Sequence, residues 1–193
     1  MEEKRYETAL TALRSRLSVA SAAHCERVAA TARELAVAYE VDPDICALAG
    51  LLHDWDRDLN AAELLATAER QGLEMGPADR AVPYLLHART AAATLAEALD
   101  GVPDEVLAAV SRHTVGSAVM SDIDMVVYLA DMMEPTRSFA GVEKLRDAVG
   151  DVPLAELFAL GYQRSMMHLV ESRRRIHPDT VVVWNAYVAG GAR

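Results

Sequence analysis

Two cysteines, two tryptophans, two phenylalanines and an aromatic content of 5% are spread over 193 residues, and each shortage excludes something. Cys25 and Cys46 form no Cys-x-x-Cys pair, so no disulfide framework is expected. Basic residues are few: 19 Lys and Arg stand against 29 Asp and Glu, a net charge of -10. General attraction to nucleic acid or to an anionic membrane is therefore not expected, and any anionic ligand must be held by local charge. No apolar run approaches the roughly 18 residues of a membrane span. The charged start MEEKRYETAL carries no signal-peptide pattern, so a soluble cytoplasmic location is expected. The chain also lacks Gly-x-Gly-x-x-Gly, a P-loop, His-Glu-x-x-His and Gly-x-Ser-x-Gly. Dinucleotide-cofactor, kinase-like, zincin and α/β-hydrolase chemistries have no support.

What is abundant is helix-forming sequence. With 52% hydrophobic residues the chain can bury one sizeable core, and no repeat or linker divides it, so residues 1–193 read as a single domain. Apolar spacing predicts helices over 22–39, 43–54, 82–99, 103–113, 122–133, 154–174 and 179–187. Asp42 and Pro43 supply an N-cap and a first-turn proline, Gly72 to Pro77 breaks the chain, Gly116 follows a helix end, and Glu134-Pro135 stops another helix. The β-branched run from Thr180 to Val183 weakens the last helix. The expectation is an all-α bundle, with core motifs over 24–131 and the C-terminal helices of 151–189 packed on them.

Against this background, His24, His53, Asp54, His87, His113 and Asp131 interrupt apolar helical stretches. Taken singly, a histidine or aspartate on a helix is more often a cap or a hydrogen-bonded core residue. Together they are borderline and hard metal ligands on separate helices, able to meet only in a bundle core. Adjacent residues of an ideal helix point about 100° apart, yet His53 and Asp54 can both aim inward where a helix ends. An aspartate can bridge two cations while each neutral imidazole gives one nitrogen, so six ligands suit two metals. Mixed nitrogen and carboxylate ligation favours Fe, Mn, Co, Ni or Zn over Mg or Ca. Two such ions roughly 3.5 to 4 Å apart can hold a bridging hydroxide and clamp a phosphoryl group, which points to hydrolysis.

The order His, His-Asp, His, His, Asp resembles the HD-domain phosphohydrolase superfamily, with the His-Asp pair in LLHDWDRDL. Within it the chain is similar to the YqeK family of bacterial symmetrical diadenosine tetraphosphate hydrolases. That likeness is carried by LLHARTAAA, by VSRHTVGSAVMSDIDMVVYLADMMEPTRSF and by IHPDTVVVWN. The resemblance implies that His24, His53, Asp54 and Asp131 hold one metal, and that His87 and His113 help to hold a second bridged by Asp54. It also implies iron, and cleavage of diadenosine tetraphosphate into two ADP. Three positions depart from the family pattern: Ser21 stands for an arginine, Arg57 for a lysine, and His177 for the tyrosine before Pro178-Asp179-Thr180.

Asp54 is expected to be catalytic with Arg57, whose guanidinium keeps a phosphate-pairing charge. Thr114 and Arg137 are weaker substrate-binding candidates, each with a competing structural role, and Arg137 has Asp131 or Glu134 as alternative partners. Glu134 is expected either to orient a histidine ligand or to cap the Pro135 turn. Arg89 reads as surface charge, while Cys25 and Cys46 read as buried thiols. The partner expected is a small dinucleoside polyphosphate, without nucleic acid or membrane and with a homodimer left open. Other nucleotide phosphoesters, or a non-catalytic helical sensor, are the alternatives. Base stacking would have to use Trp55, Tyr84, Tyr128 or Phe139.

Overall fold

The computed structural model describes residues 2–189, and these are helical with no strand among them, as the periodicity predicts. The helices are α1 (Glu2–Arg16), α2 (Val19–Ala38), α3 (Pro43–Leu52), α4 (Ala61–Arg70), α5 (Pro77–Ala81), α6 (His87–Ala98), α7 (Asp104–Arg112), α8 (Asp122–Met133), α9 (Val142–Asp147), α10 (Leu154–Glu171) and α11 (Pro178–Val183). A 3-10 turn, Pro83–Leu86, leads into α6, and a π turn, Trp184–Val188, follows α11. None of these helices is long and apolar enough to cross a membrane.

Local chemistry explains most boundaries. Asp42 caps α3 by accepting from Asp44 N (2.9 Å) and Ile45 N (3.1 Å). Ser121 and Asp124 form a reciprocal capping box at α8, and buried Asp124 also takes Arg112 at 2.6 Å, which ties α7 to α8. The second helix starts at Val19, ahead of the expected residue 22, because Ser18 accepts from Ser21 N. The helix expected over 82–99 starts at His87 instead: Pro83 forces Val82 out of the helical region, to φ -135° and ψ 69°. The last helix closes at Val183, where the β-branched run ends in the π turn.

Helix α1 escaped the periodicity reading because charged residues surround a narrow stripe of Ala9, Leu13 and Leu17, all buried. Two large apolar cores organise the bundle, and a small one of Leu64, Ala68 and Leu86 packs α4 beside the turn before α6. One of the large cores lies among α1, α2, α3, α6, α7 and Val127 of α8, around Leu51, Leu52, Leu95 and Val110. The other lies among α2, α8 and α10, around Val28, Leu129, Phe158 and Tyr162. Helices α2 and α8 contribute to both and pack against each other. At the other end His177 caps α11 and reaches buried Asp79 of α5 at 3.3 Å, anchoring the C-terminal segment.

The closest approach of α2 and α3 depends on Gly50. A Cβ built there would stand 3.1 Å from both Ala29 Cα and Val28 O, and backbone atoms cannot yield as a flexible side chain would. Gly50→Ala is expected to destabilise the protein by about 1–3 kcal/mol, although alanine is the better helix former. Urea unfolding measures it, and wild-type stability would contradict the close packing.

Candidate metal centre

The six histidine and aspartate residues expected as ligands all converge, and most occupy helix ends. His53 is the C-cap of α3, His87 opens α6, His113 is the C-cap of α7, and Asp131 lies in the last turn of α8, facing His24 on α2. After Leu52 the chain runs through tight turns, with Trp55 N bonded to Leu52 O and Arg57 N to Asp54 O. The helical 100° rotation stops there, which lets His53 and Asp54 both face inward. Ser18 N and Ser21 Oγ each donate to Asp58 at 2.6 Å, so Ser21 pins this turn to the start of α2. Asp56, buried, receives Arg16 at 2.6 Å and Thr94 at 3.0 Å and fixes the turn from the other side.

The rings are aimed by their own backbone. His53 Nδ1 donates to Gly50 O (2.7 Å), His87 Nδ1 to Tyr84 O (2.6 Å) and His113 Nδ1 to Val110 O (2.8 Å), always the carbonyl three residues earlier. A carbonyl only accepts, so each Nδ1 carries the proton and each Nε2 presents a lone pair. On His24 the Nδ1 atom faces Glu134 Oε1 at 3.3 Å, and the same logic frees its Nε2.

Those lone pairs meet carboxylate oxygens and each other. Asp54 Oδ1 is 3.1 Å from His87 Nε2 and 3.5 Å from His113 Nε2, while its Oδ2 is 3.2 Å from His53 Nε2 and 3.6 Å from His24 Nε2. Asp131 Oδ1 is 3.0 Å from His24 Nε2 and 3.9 Å from His53 Nε2. The Nε2 atoms of His87 and His113 are 3.1 Å apart, and the Thr114 hydroxyl lies within 3.3 Å of both. Buried atoms His24 Nε2, His53 Nε2 and Asp54 Oδ1 find no hydrogen-bond partner among the described residues. Acceptors crowded in this way repel unless positive charge lies among them, so the donor set fits divalent cations. Two groups suit one ion each: His24, His53 and Asp131, and Asp54, His87 and His113.

The electrostatics agree. Burial would raise the pKa of Asp54, but His53, His113 and His87 outweigh it and hold the carboxyl well below the usual range. Asp131 is likewise depressed against burial, by His24, His53 and Arg137. Burial opposes protonation of His53, yet Asp54 and Asp131 raise its pKa, whereas for His113 burial prevails and lowers it. Cys25 also lies within reach of His53 and Asp54, but burial and the charge of Asp54 push its thiol far up, so it stays protonated and is a poor ligand.

Around the ligands, Arg57 Nη1 donates to Asp54 Oδ2 at 2.6 Å, and its guanidinium lies 5.8 Å from the Tyr84 ring centroid. Arg137, open in the sequence between substrate and protein partners, grips Asp131 through both its carboxylate and its main-chain oxygen. Arg89 lies away from the ligands, bonded to Glu74 O at 2.8 Å. Glu134 takes the orienting role, held by Arg27 at 2.8 Å and by Thr136. Arg27 was not anticipated, although its place three residues after His24 on α2 was a usable signal.

A model of the HD domain matches residues 22–136. The chain belongs to the HD-domain family. A relative from Bacillus subtilis (strain 168) named "Bis(5'-nucleosyl)-tetraphosphatase, symmetrical" is 29% identical over 95% of this chain and 98% of its own length. One of the same name from Halalkalibacterium halodurans is 32% identical over 84% of this chain and 86% of its own. A crystal structure described as that of a "predicted HD superfamily hydrolase involved in NAD metabolism" from Clostridium acetobutylicum superposes with a TM-score of 0.88 at 27% identity, covering 96% of this chain and 97% of that one. The protein is thus an HD-domain hydrolase, and HD domains bind divalent metals.

Burial would raise the pKa of Glu134, but Arg27 and Thr136 bring it from the usual 4.5 down to about 2. Its folded value lies below its unfolded one, so the stabilisation is complete above 4.5 and is lost as pH falls toward 2. Glu134→Gln is expected to flatten that acid limb and to weaken Mn2+ binding about 10- to 100-fold by releasing the His24 ring. Acid-unfolding curves and calorimetric titration check both halves, and unchanged metal affinity would refute the orienting role.

Proposed function

We propose that this HD-domain hydrolase cleaves diadenosine tetraphosphate symmetrically into two ADP, using His24, His53, Asp54, His87, His113 and Asp131 to hold two divalent transition metals, iron first among them. The observation that carries the reading is the Asp54 carboxylate, whose oxygens each face a separate pair of imidazole Nε2 atoms. Relatives named for this reaction over most of their length supply the substrate. A metal pair supplies Lewis acidity to a water and to the phosphoryl oxygens beside it.

The chain's own residues do the rest. Asp54 stays ionised across the physiological range and so keeps both oxygens available. Arg57, partly exposed beside Asp54, offers its remaining donors to phosphate oxygens, concentrating positive charge where charge develops in the transition state. Thr114 and Arg137 add a hydroxyl and a second guanidinium at the same rim. Because ADP leaves as a stabilised anion, no dedicated general acid is required, and the ring N–H of His24, His53, His87 and His113 is in each case turned to a protein acceptor while the ring is neutral.

A second reading is favoured by the Clostridium neighbour: a dinucleotide of NAD metabolism in the same site. A substrate panel with diadenosine tetraphosphate and NAD, compared by kcat/KM, separates the two.

Asp54→Ala is expected to abolish metal-dependent hydrolysis, a loss of at least about 10³-fold, with the helical circular-dichroism spectrum retained. Wild-type protein with ferrous iron under anaerobic conditions is expected to give ADP as sole product. AMP together with ATP, or full activity in the variant, would reject the proposal.

A further inference from the structure

On the Asp131 side of the metal centre, α8 and α10 leave a cleft of about 250 Å3 lined by Asp131, Arg137, Phe139, Arg164, Ser165 and His168. Arg164 and His168 are four residues apart on α10 and project from one helical face. In a chain of net charge -10, two guanidiniums and an imidazole gather here around one carboxylate. That carboxylate is already taken, since Asp131 is engaged by His24 and Arg137. Arg164 forms no ion pair among the described residues, and its Nε atom is buried without a hydrogen-bond partner. The rest of the guanidinium is partly exposed and lines the cleft, so a cation that the protein leaves without a carboxylate is open there to an anionic acceptor from outside.

The aromatic residues narrow the ligand. Tyr128 is buried in the core against Phe158 and Tyr162, and Trp55 is buried beneath Arg16. Phe139, half-buried, lines this cleft, while Tyr84, 44% exposed, stacks over His87 on the other flank of the metal centre. The cleft is smaller than the roughly 300–1,000 Å3 of a pocket that takes a whole ligand, so it suits one end of a longer molecule. Asp131 belongs to both the cleft and the metal cluster, which places a group bound here immediately beside phosphate at the metals.

We propose that the cleft between α8 and α10 binds one nucleoside diphosphate arm of the substrate, with Arg164 on the phosphate nearest the nucleoside and Phe139 and His168 bordering the base. The inference rests on the dinucleoside polyphosphate reading above. ADP titrated calorimetrically into metal-loaded protein tests it apart from turnover. Arg164→Gln is expected to weaken ADP binding about tenfold or more, and to raise KM for diadenosine tetraphosphate by more than it lowers kcat. Arg5→Gln on α1, an equal change of net charge, is expected to leave both unchanged. ADP affinity and KM within about twofold of wild type in a folded Arg164→Gln protein would overturn the cleft assignment while leaving the reaction intact. Wild-type protein that neither binds ADP nor cleaves the substrate would overturn the underlying reading, and the cleft with it. Should Arg164→Gln fail to fold, His168→Ala at the exposed rim serves: about threefold weaker ADP binding supports the assignment and unchanged binding overturns it.

Discussion

A single buried carboxylate sets the terms for the rest of the molecule. Asp54 sits fully enclosed, with four imidazole nitrogens from four helices turned toward it. An ionised group in that position is costly unless positive charge surrounds it. The protein answers in part with Arg57, and the lone pairs arranged around Asp54 leave the rest to bound cations. The turn that delivers Asp54 is in consequence tied down from both sides, through Asp56 to Arg16 and Thr94 and through Asp58 to Ser18 and Ser21.

The bundle converges on that point because its helices end there. Cation sites in the middle of long helices would need side chains reaching across regular packing, whereas α3, α6 and α7 stop or start at their histidines. Packing of Val28 and Ala32 of α2 against Val126 and Leu129 of α8 fixes these two helices to each other, and Gly50 draws α3 against α2 so that the ligands on each meet. Arg57 and Arg137 stand beside the ligand carboxylates in a chain of net charge -10, so positive charge at the centre is local rather than general.

Much of this was legible in the sequence, and for definite reasons. The six histidine and aspartate residues stood out because each replaced an apolar residue in a periodic stretch, and a resemblance in their order named the chemistry. Asp42, Gly116 and Pro135 marked boundaries through local rules that tertiary packing did not override. Pro83 carried the same kind of signal, but the helical pattern around it masked it, and so His87 was placed inside a helix that it in fact begins. Helix α1 has an apolar stripe too narrow to rise above its charges. Arg27 and Arg16 belong to another class: long cations whose partners lie far along the chain and which spacing alone cannot assign. Arg137 shows the same limit, since either reading of it satisfied the sequence and only the fold placed it on Asp131.

The bonds from His53, His87 and His113 to the carbonyl three residues earlier fix each ring within one turn of its own backbone. Ring orientation is thereby a short-range property, complete once that turn forms, and long-range folding has only to bring three finished pieces to a common centre. Such modularity divides the chain's tolerance to change unevenly. A loop between two of these pieces can lengthen at a small entropic cost, whereas one residue inserted within a piece swings its ring about 100° and removes it from the cluster.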